Sequence, residues 1–140
     1  MVMTSIQSAD FSVEAEVAKI KAISNRIGGI VTFLGTARDF SNGHSVVNLT
    51  FEHYARMADQ AMRKICESAL ERFNILAVTM IHRVGVIGIG ENIVLIVVGA
   101  EHRQDAFTAC AWCIDEIKKT VPIWKREATP DGQIWVSERP

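Results

Sequence analysis

The sequence predicts an α+β protein with three main helices and a C-terminal β-hairpin. Segments whose apolar residues recur every three or four positions are interspersed with segments of period two or of continuous apolar character. The composition, 49% hydrophobic and 22% charged residues, is typical of a globular chain. A length of 140 residues suits one domain, so we expect residues 1–140 to form a single domain.

The first third of the chain predicts a helix, a strand and a polar loop. Apolar residues recur at helical spacing over residues 11–27, and Ser12 can cap the N-terminus. Two glycines end this helix, and the β-rich run 30–34 predicts a strand. Residues 36–45 are polar and contain an Asn-Gly turn signal, so we expect an exposed, mobile loop.

The middle of the chain predicts three strands and a second helix. Residues 47–53 alternate apolar and polar side chains, the pattern of a strand with one buried face. Apolar residues then lie three and four apart over residues 56–73, which indicates a helix. Residues 78–84 predict another strand, and the glycine-punctuated segment 85–90 predicts turns. Residues 92–99 are almost wholly apolar, which indicates a central strand buried on both faces.

The last third predicts a third helix and a hairpin. Helical spacing over residues 107–117 must end before Pro122, because proline cannot donate a backbone hydrogen bond. Lys118 therefore lies at the C-terminal end of this helix. Two β-like runs, residues 123–127 and 134–137, flank a Thr-Pro-Asp-Gly turn signal and predict a hairpin.

Composition also excludes some classes of function. A formal net charge of −1 provides no global field for nucleic acid or a membrane surface, so a bound anion needs a local cluster of basic residues. The longest apolar run is far shorter than the ~20 residues that span a bilayer, and the N-terminus lacks a signal-peptide pattern. Three cysteines without paired spacing suit a reducing compartment. We therefore expect a cytoplasmic protein without nucleic-acid or membrane partners.

Two short motifs have structural interpretations that outweigh their functional ones. The glycines of residues 85–90 precede a strand instead of a helix, which favours turns over a phosphate loop. Cys110-Ala111-Trp112-Cys113 lies inside a predicted helix, whereas redox-active cysteine pairs lie at a helix N-terminus, so core packing is favoured. Zinc would need more regularly spaced ligands. We expect no metal and no cofactor.

Basic residues at the ends of predicted elements are the best candidates for a binding site. They are Arg38, His102, Arg103, Lys118, Lys125 and Arg126. Each alone could be a solvated surface cation, but together they indicate an anion site, and a helix start such as Arg103 already favours anions. Guanidinium groups suit phosphate, and lysines near other cations lose their protons more easily than an isolated lysine.

The chain resembles the large subunit of molybdopterin synthase from Phe11 to Arg139. The most specific stretch, residues 122–132, closely matches the PxWKxE signature of that family. Four supporting matches occur in the family's order, and they are residues 29–35 leading to Arg38, residues 49–54, residues 81–85, and Glu101-His102-Arg103 before Phe107. Five matches in register are far more specific than any one of them.

The resemblance implies an α/β-hammerhead fold with a mixed, mainly antiparallel sheet. It also implies a homodimer whose outer ends each bind a small ubiquitin-like sulfur-carrier subunit, which gives a heterotetramer. The carrier's C-terminal Gly-Gly thiocarboxylate would deliver sulfur, one atom at a time, to cyclic pyranopterin monophosphate and so form the dithiolene of molybdopterin. Because this sulfur arrives already activated, the enzyme's own cysteines are not needed.

The resemblance also implies roles for individual residues. Lys118 and Lys125 match the family's two catalytic lysines, which act as acid–base groups. Residues that match the substrate pocket are Arg38, His102, Arg103, Arg126, Glu127 and Arg139, the last reaching across the dimer into the neighbouring site. Thr36 departs from the family, whose members often have lysine after the preceding glycine.

Two alternatives use the same sequence features. A non-catalytic homologue that binds a ubiquitin-like carrier or a phosphorylated metabolite would need Arg38 and Arg103 but not both lysines. A structural dimerisation domain would have its basic residues spread over solvated faces instead of gathered at element ends. The presence of Lys118 and Lys125 in their family positions favours the enzyme.

Overall fold

A computed structural model describes residues 1–136 and shows an α+β architecture. The helices in this range are α1 (Val13–Lys21), α2 (Ala55–Arg72) and α3 (Arg103–Thr120). The strands are β1 (Val2–Gln7), β2 (Gly29–Thr36), β3 (Phe40–Ser41), β4 (His44–Ser45), β5 (Asn48–His53), β6 (Ala77–Arg83), β7 (Gly85–Gly88), β8 (Asn92–Ala100), β9 (Ile123–Thr129) and β10 (Gly132–Val136). The predicted three main helices and C-terminal hairpin are confirmed.

The strands form two four-stranded sheets and a small hairpin. The first sheet has the order β1-β6-β8-β2, the second has the order β10-β9-β5-β7, and β3 pairs with β4. The β1–β6 pairing is parallel, whereas the other pairings of the described residues are antiparallel. The first sheet is therefore mixed and the second is antiparallel throughout its described pairings, in agreement with the expected mixed, mainly antiparallel arrangement.

Strand β8 is one of the two inner strands of the first sheet, and its two faces pack against different core clusters. Successive side chains of a strand point to opposite faces. Leu95 and Val97 accordingly pack with Ile20 of α1, whereas Ile96 and Val98 belong to the larger cluster that includes residues of α2 and α3. Helices thus cover both faces of this sheet, which explains why β8 is almost wholly apolar.

Helix α1 begins where it was predicted to begin but ends earlier. The Ser12 hydroxyl accepts a hydrogen bond from the Ala15 N–H (3.1 Å), which confirms the predicted cap. The helix ends at Lys21 instead of residue 27. Ile23 and Ile27 still pack against the core cluster of α1, so their helical spacing reflects burial beneath an irregular segment.

Strands β1 and β7 were not predicted, because both depend on distant partners. Strand β1 pairs with β6, whose residues lie 76 positions further along the chain, as in the Val2–Val78 pair. Strand β7 occupies part of the predicted glycine turn and pairs with β5, with Leu49 opposite Ile87. Within that segment the turn itself lies at Gly90, whose φ of 83° favours glycine.

The three cysteines are buried and belong to the core, as predicted. Burial raises the pKa of the Cys66 thiol to about 12 and that of Cys110 to about 11. A thiol that resists ionisation is a poor nucleophile, so neither group is suited to sulfur chemistry.

Among residues 1–136, no helix is long and apolar enough to cross a membrane.

Candidate functional site

A cavity of about 250 Å³ lies where β2, β6, β9 and the end of α3 meet. Its lining contains the cations Arg38, Lys118 and Lys125, all three of which are site candidates from the sequence. The remaining lining residues are Phe33, Gly35, Thr36, Phe51, His82, Ile93, Val94, Ile114, Ile117 and Ile123. The cavity is therefore an apolar hollow with basic groups, and the charge of a largely buried side chain such as Lys125 acts strongly there because little water screens it.

The end of α3 and the start of β9 bring the two lysines together. The Val121 N–H donates to the Ile117 carbonyl (3.2 Å) and closes the helix just before Pro122. Strand β9 begins one residue later, so Lys118 in the last helical turn and Lys125 in the strand face the same cavity. Lys118 is exposed, whereas the Lys125 side chain is only 11% exposed.

The surroundings of Lys125 favour its neutral form. Burial lowers the pKa of the Lys125 ammonium below the ordinary lysine value, and the positive charges of Arg38 and Lys118 lower it further. The Glu127 carboxylate, whose Oε2 lies 3.9 Å from the Lys125 Nζ, opposes this shift. Lys125 can therefore release its proton more easily than a solvated lysine and can act as an acid–base group.

A fixed loop base holds Arg38 beside the cavity. The Ala37 N–H donates to the Glu91 carbonyl (3.0 Å), and the Gly90 N–H donates to the Ala37 carbonyl (2.8 Å). Ala37 is buried and Arg38 is exposed, so the backbone is anchored while the guanidinium remains available to a ligand. The loop is partly ordered, because its tip forms the β3–β4 hairpin around the predicted Asn-Gly turn.

His82 is a lining residue that sequence reasoning did not single out. It lies on β6, is buried, and packs edge-on against the Phe51 ring at 5.2 Å between centroids. Its Nδ1–H donates to the Arg83 carbonyl (2.7 Å), which fixes the orientation of the ring. The sequence places this histidine within a mostly apolar, buried strand. Because a buried polar ring needs hydrogen-bonding partners, that position could have identified His82 as a candidate site residue.

His102 and Arg103 lie at the opposite end of α3 from the lysines. Arg103 and Lys118 are fifteen positions apart in α3, which corresponds to about 22 Å along the axis. Both residues are exposed and line a separate surface groove with Gly28, Glu101 and Gln104. One copy of the chain therefore does not bring these two residues to the lysine cavity.

The residues that follow Lys125 point in different directions. Glu127 shares the face of Lys125, is almost fully buried, and lies near both Lys125 and His44. Arg126 lies on the opposite face of β9, where its guanidinium is 5.3 Å from the ring centroid of Trp135. Arg139 lies outside the described residues.

Within residues 1–136, no group of three or more His, Cys, Asp or Glu side chains could hold a metal ion. The Gly85–Gly88 segment forms a strand paired with β5, so its backbone serves the sheet instead of cradling a phosphate. The ionisable side chains that line the cavity are Arg38, His82, Lys118 and Lys125.

Comparisons with known proteins agree with one another. A family model described as MoaE protein matches residues 6–120. The molybdopterin synthase catalytic subunit of Pyrococcus abyssi is 46% identical over 127 residues, which cover 91% of this chain and 84% of that protein. The MoaE protein of Burkholderia ambifaria has a TM-score of 0.85 and 38% identity, over 100% of this chain and 92% of that chain. The molybdopterin synthase of Staphylococcus aureus, solved by X-ray crystallography, has a TM-score of 0.88 and 31% identity, over 95% and 96% respectively.

Proposed function

The chain belongs to the MoaE family of molybdopterin synthase catalytic subunits, and from this premise we propose that it is a sulfurtransferase. It moves sulfur from the thiocarboxylated C-terminus of a small ubiquitin-like carrier subunit to cyclic pyranopterin monophosphate, and the spent carrier is left with an ordinary C-terminal carboxylate whose oxygen comes from water. Two such transfers make the dithiolene of molybdopterin. The observation that carries the proposal is the convergence of Lys118, Lys125 and Arg38 on one largely apolar cavity.

Lys125, Lys118 and Arg38 have different roles in the proposed reaction. Lys125, whose pKa burial lowers, accepts a proton in its neutral form and returns it in its ammonium form. Lys118 is exposed at the same cavity and supplies a second acid–base group or a positive charge for the thiocarboxylate. Arg38 offers guanidinium donors to the substrate's phosphate. The buried cysteines take no part, because the sulfur arrives on the carrier.

The shape of the cavity suits a Gly-Gly carrier tail. Phe33 and Phe51 belong to its apolar wall, and a volume of about 250 Å³ admits a narrow chain end. A tail of two glycines has no side chains to clash with these walls. The cavity can therefore take the tail that the proposed carrier possesses.

A homodimer within a heterotetramer would bring His102 and Arg103 of one copy to the lysine cavity of the other. His102 and Arg103 lie about 22 Å along α3 from Lys118, so a second copy must bring its own groove to the cavity if they hold substrate. We also propose that residues 1–140 form one domain, since one hydrophobic cluster includes residues of both large sheets. Free, buried cysteines support a cytoplasmic location.

Replacing Lys118 by alanine tests the function directly. We expect a loss of about 100-fold or more in single-turnover formation of the dithiolene pterin, the usual contribution of an acid–base group. Lys119→Ala is the matched control, because Lys119 neighbours Lys118 in α3 but is 71% exposed and pairs with Glu116 (3.8 Å). The control variant should stay within about twofold of the wild type, since surface pairs contribute little.

The wild type itself decides between enzyme and binding module. Product formed with a thiocarboxylated carrier and cyclic pyranopterin monophosphate would support the sulfurtransferase. If the wild type binds the carrier but forms no product, while another synthase uses the same donor preparation, the catalytic proposal is wrong. The non-catalytic homologue that binds a carrier or phosphorylated metabolite would then replace it.

Arg38→Ala should weaken binding of the phosphorylated substrate. A charge-assisted hydrogen bond contributes about 1.5 to 3 kcal/mol, which corresponds to roughly 10- to 150-fold in Kd. Arg38→Lys should recover only part of this loss, because an ammonium cannot form the bidentate contact. Titration calorimetry with the pterin measures both variants, with the exposed Arg56→Ala on α2 as control. An unchanged Kd for Arg38→Ala would place the phosphate elsewhere.

A further inference from the structure

We propose that His44 is a positioning residue for Lys125, acting through the Glu127 carboxylate that lies between them. The inference rests on the proposed function and deepens it, because it assigns the control of Lys125 to a side chain outside the predicted site. It also links the loop that carries Arg38 to the strand that carries Lys125.

The two oxygens of Glu127 serve different partners. The His44 Nε2–H donates to Oε1 at 2.9 Å, whereas Oε2 lies 3.9 Å from the Lys125 Nζ. The Glu127 side chain is 2% exposed, and a buried carboxylate is unfavourable unless hydrogen bonds compensate for lost water. The short contact to His44 therefore sets the orientation of the carboxylate, and that orientation leaves Lys125 with the longer, weaker contact.

The position of the His44 ring follows from backbone pairing on both sides. Ser41 pairs with His44 across the hairpin, and the Val46 N–H donates to the Asp39 carbonyl (2.8 Å). The Val47 N–H donates to the Ala128 carbonyl (2.7 Å), which ties the end of the hairpin to β9. The ring thus reaches Glu127 from a hairpin whose register is fixed.

The position of the Glu127 carboxylate matters for the pKa of Lys125 because the other charged groups around Lys125 are basic. Its cavity also contains Arg38 from the loop after β2, Lys118 from α3 and His82 from β6. Glu127 supplies a negative charge among these basic groups and raises the pKa of Lys125, against the effect of burial. Without His44, the carboxylate could turn fully to Lys125 and stabilise its ammonium form. The neutral fraction of Lys125 would then be smaller at a given pH.

The test compares His44→Ala with His44→Gln, whose amide can still donate to Oε1. Titration of the Lys125 Nζ by NMR of ¹⁵N-lysine protein, assigned with Lys125→Arg, should give a higher pKa in His44→Ala. A Lys125 pKa that is higher by about one would lower the neutral fraction of Lys125 about tenfold at pH values below the pKa. In the pH range where the single-turnover rate increases with pH, the rate should fall by the same factor. Both values should return toward the wild type in His44→Gln.

The two readouts separate this inference from the proposed function. The NMR titration needs neither carrier nor pterin, so it remains informative if the protein makes no product. Equal Lys125 pKa values in the wild type and both variants would overturn the inference. A loss of rate of the same size in His44→Ala and His44→Gln, without a shifted pH profile, would also overturn it, because that result indicates a merely structural role.

Discussion

Replacement of Lys125 by alanine is expected to lower single-turnover sulfur transfer by about 100- to 10,000-fold, the range of a lost acid–base group. Lys125 combines three properties that such a group needs: a cavity position, an 11% exposed side chain, and a pKa lowered mainly by burial. The neutral amine is the form that accepts a proton. The wild-type rate should therefore rise with pH through a midpoint below the ordinary lysine value of 10.5.

Two further variants distinguish proton transfer from positive charge. Lys125→Arg keeps the charge but cannot lose its proton in a protein, so it should be nearly as inactive as Lys125→Ala. Lys64→Ala, on the exposed face of α2, should keep the wild-type rate. Stopped or quenched single-turnover assays across pH measure all three. Near-normal activity of Lys125→Arg would mean that Lys125 contributes only charge.

Ile96→Ala should destabilise the fold by about 2 to 5 kcal/mol, the usual cost of truncating a buried isoleucine. Ile96 lies in the central strand β8, is 0% exposed, and belongs to the core cluster that includes α2 and α3 residues. Removing three carbons there leaves a cavity that the surrounding helices cannot fill completely. Urea unfolding followed by circular dichroism measures the change in the free energy of unfolding.

Ile89→Ala is the matched control for the same substitution. Ile89 is 40% exposed in the turn before β8, so its truncation should change the free energy of unfolding by less than about 0.5 kcal/mol. Similar losses for both variants would contradict the assignment of β8 as the core of the first sheet.

The helices could be predicted from the sequence because their determinants are local. Ser12 caps α1, Pro122 forces α3 to end, and apolar residues three and four apart identify the buried face of α2. Strands β1 and β7 could not be predicted in this way. Their partners, β6 and β5, are supplied by the folded sheets, and a short run such as Gly85–Gly88 has no local signal that distinguishes a strand from a turn.

Part of the candidate site could also be predicted from local sequence features. The position of Lys118 at a helix end and of Lys125 three residues after Pro122 followed from the sequence, and the structure brings both to one cavity with Arg38. The family itself was also evident from sequence motifs, and the comparisons confirm it. Residue types at element ends thus indicated where anion chemistry could occur.

What the sequence by itself determined is the family, the three helices, the central strand and the cationic side chains of the cavity. Tertiary structure alone decided which of those side chains meet. His44 and Glu127 are 83 positions apart, and only the docking of the hairpin on β9 brings them within hydrogen-bonding distance. The physical reason is that helix periodicity and caps act over a few residues, whereas strand register and burial depend on contacts between distant segments, and burial is what shifts the pKa of Lys125.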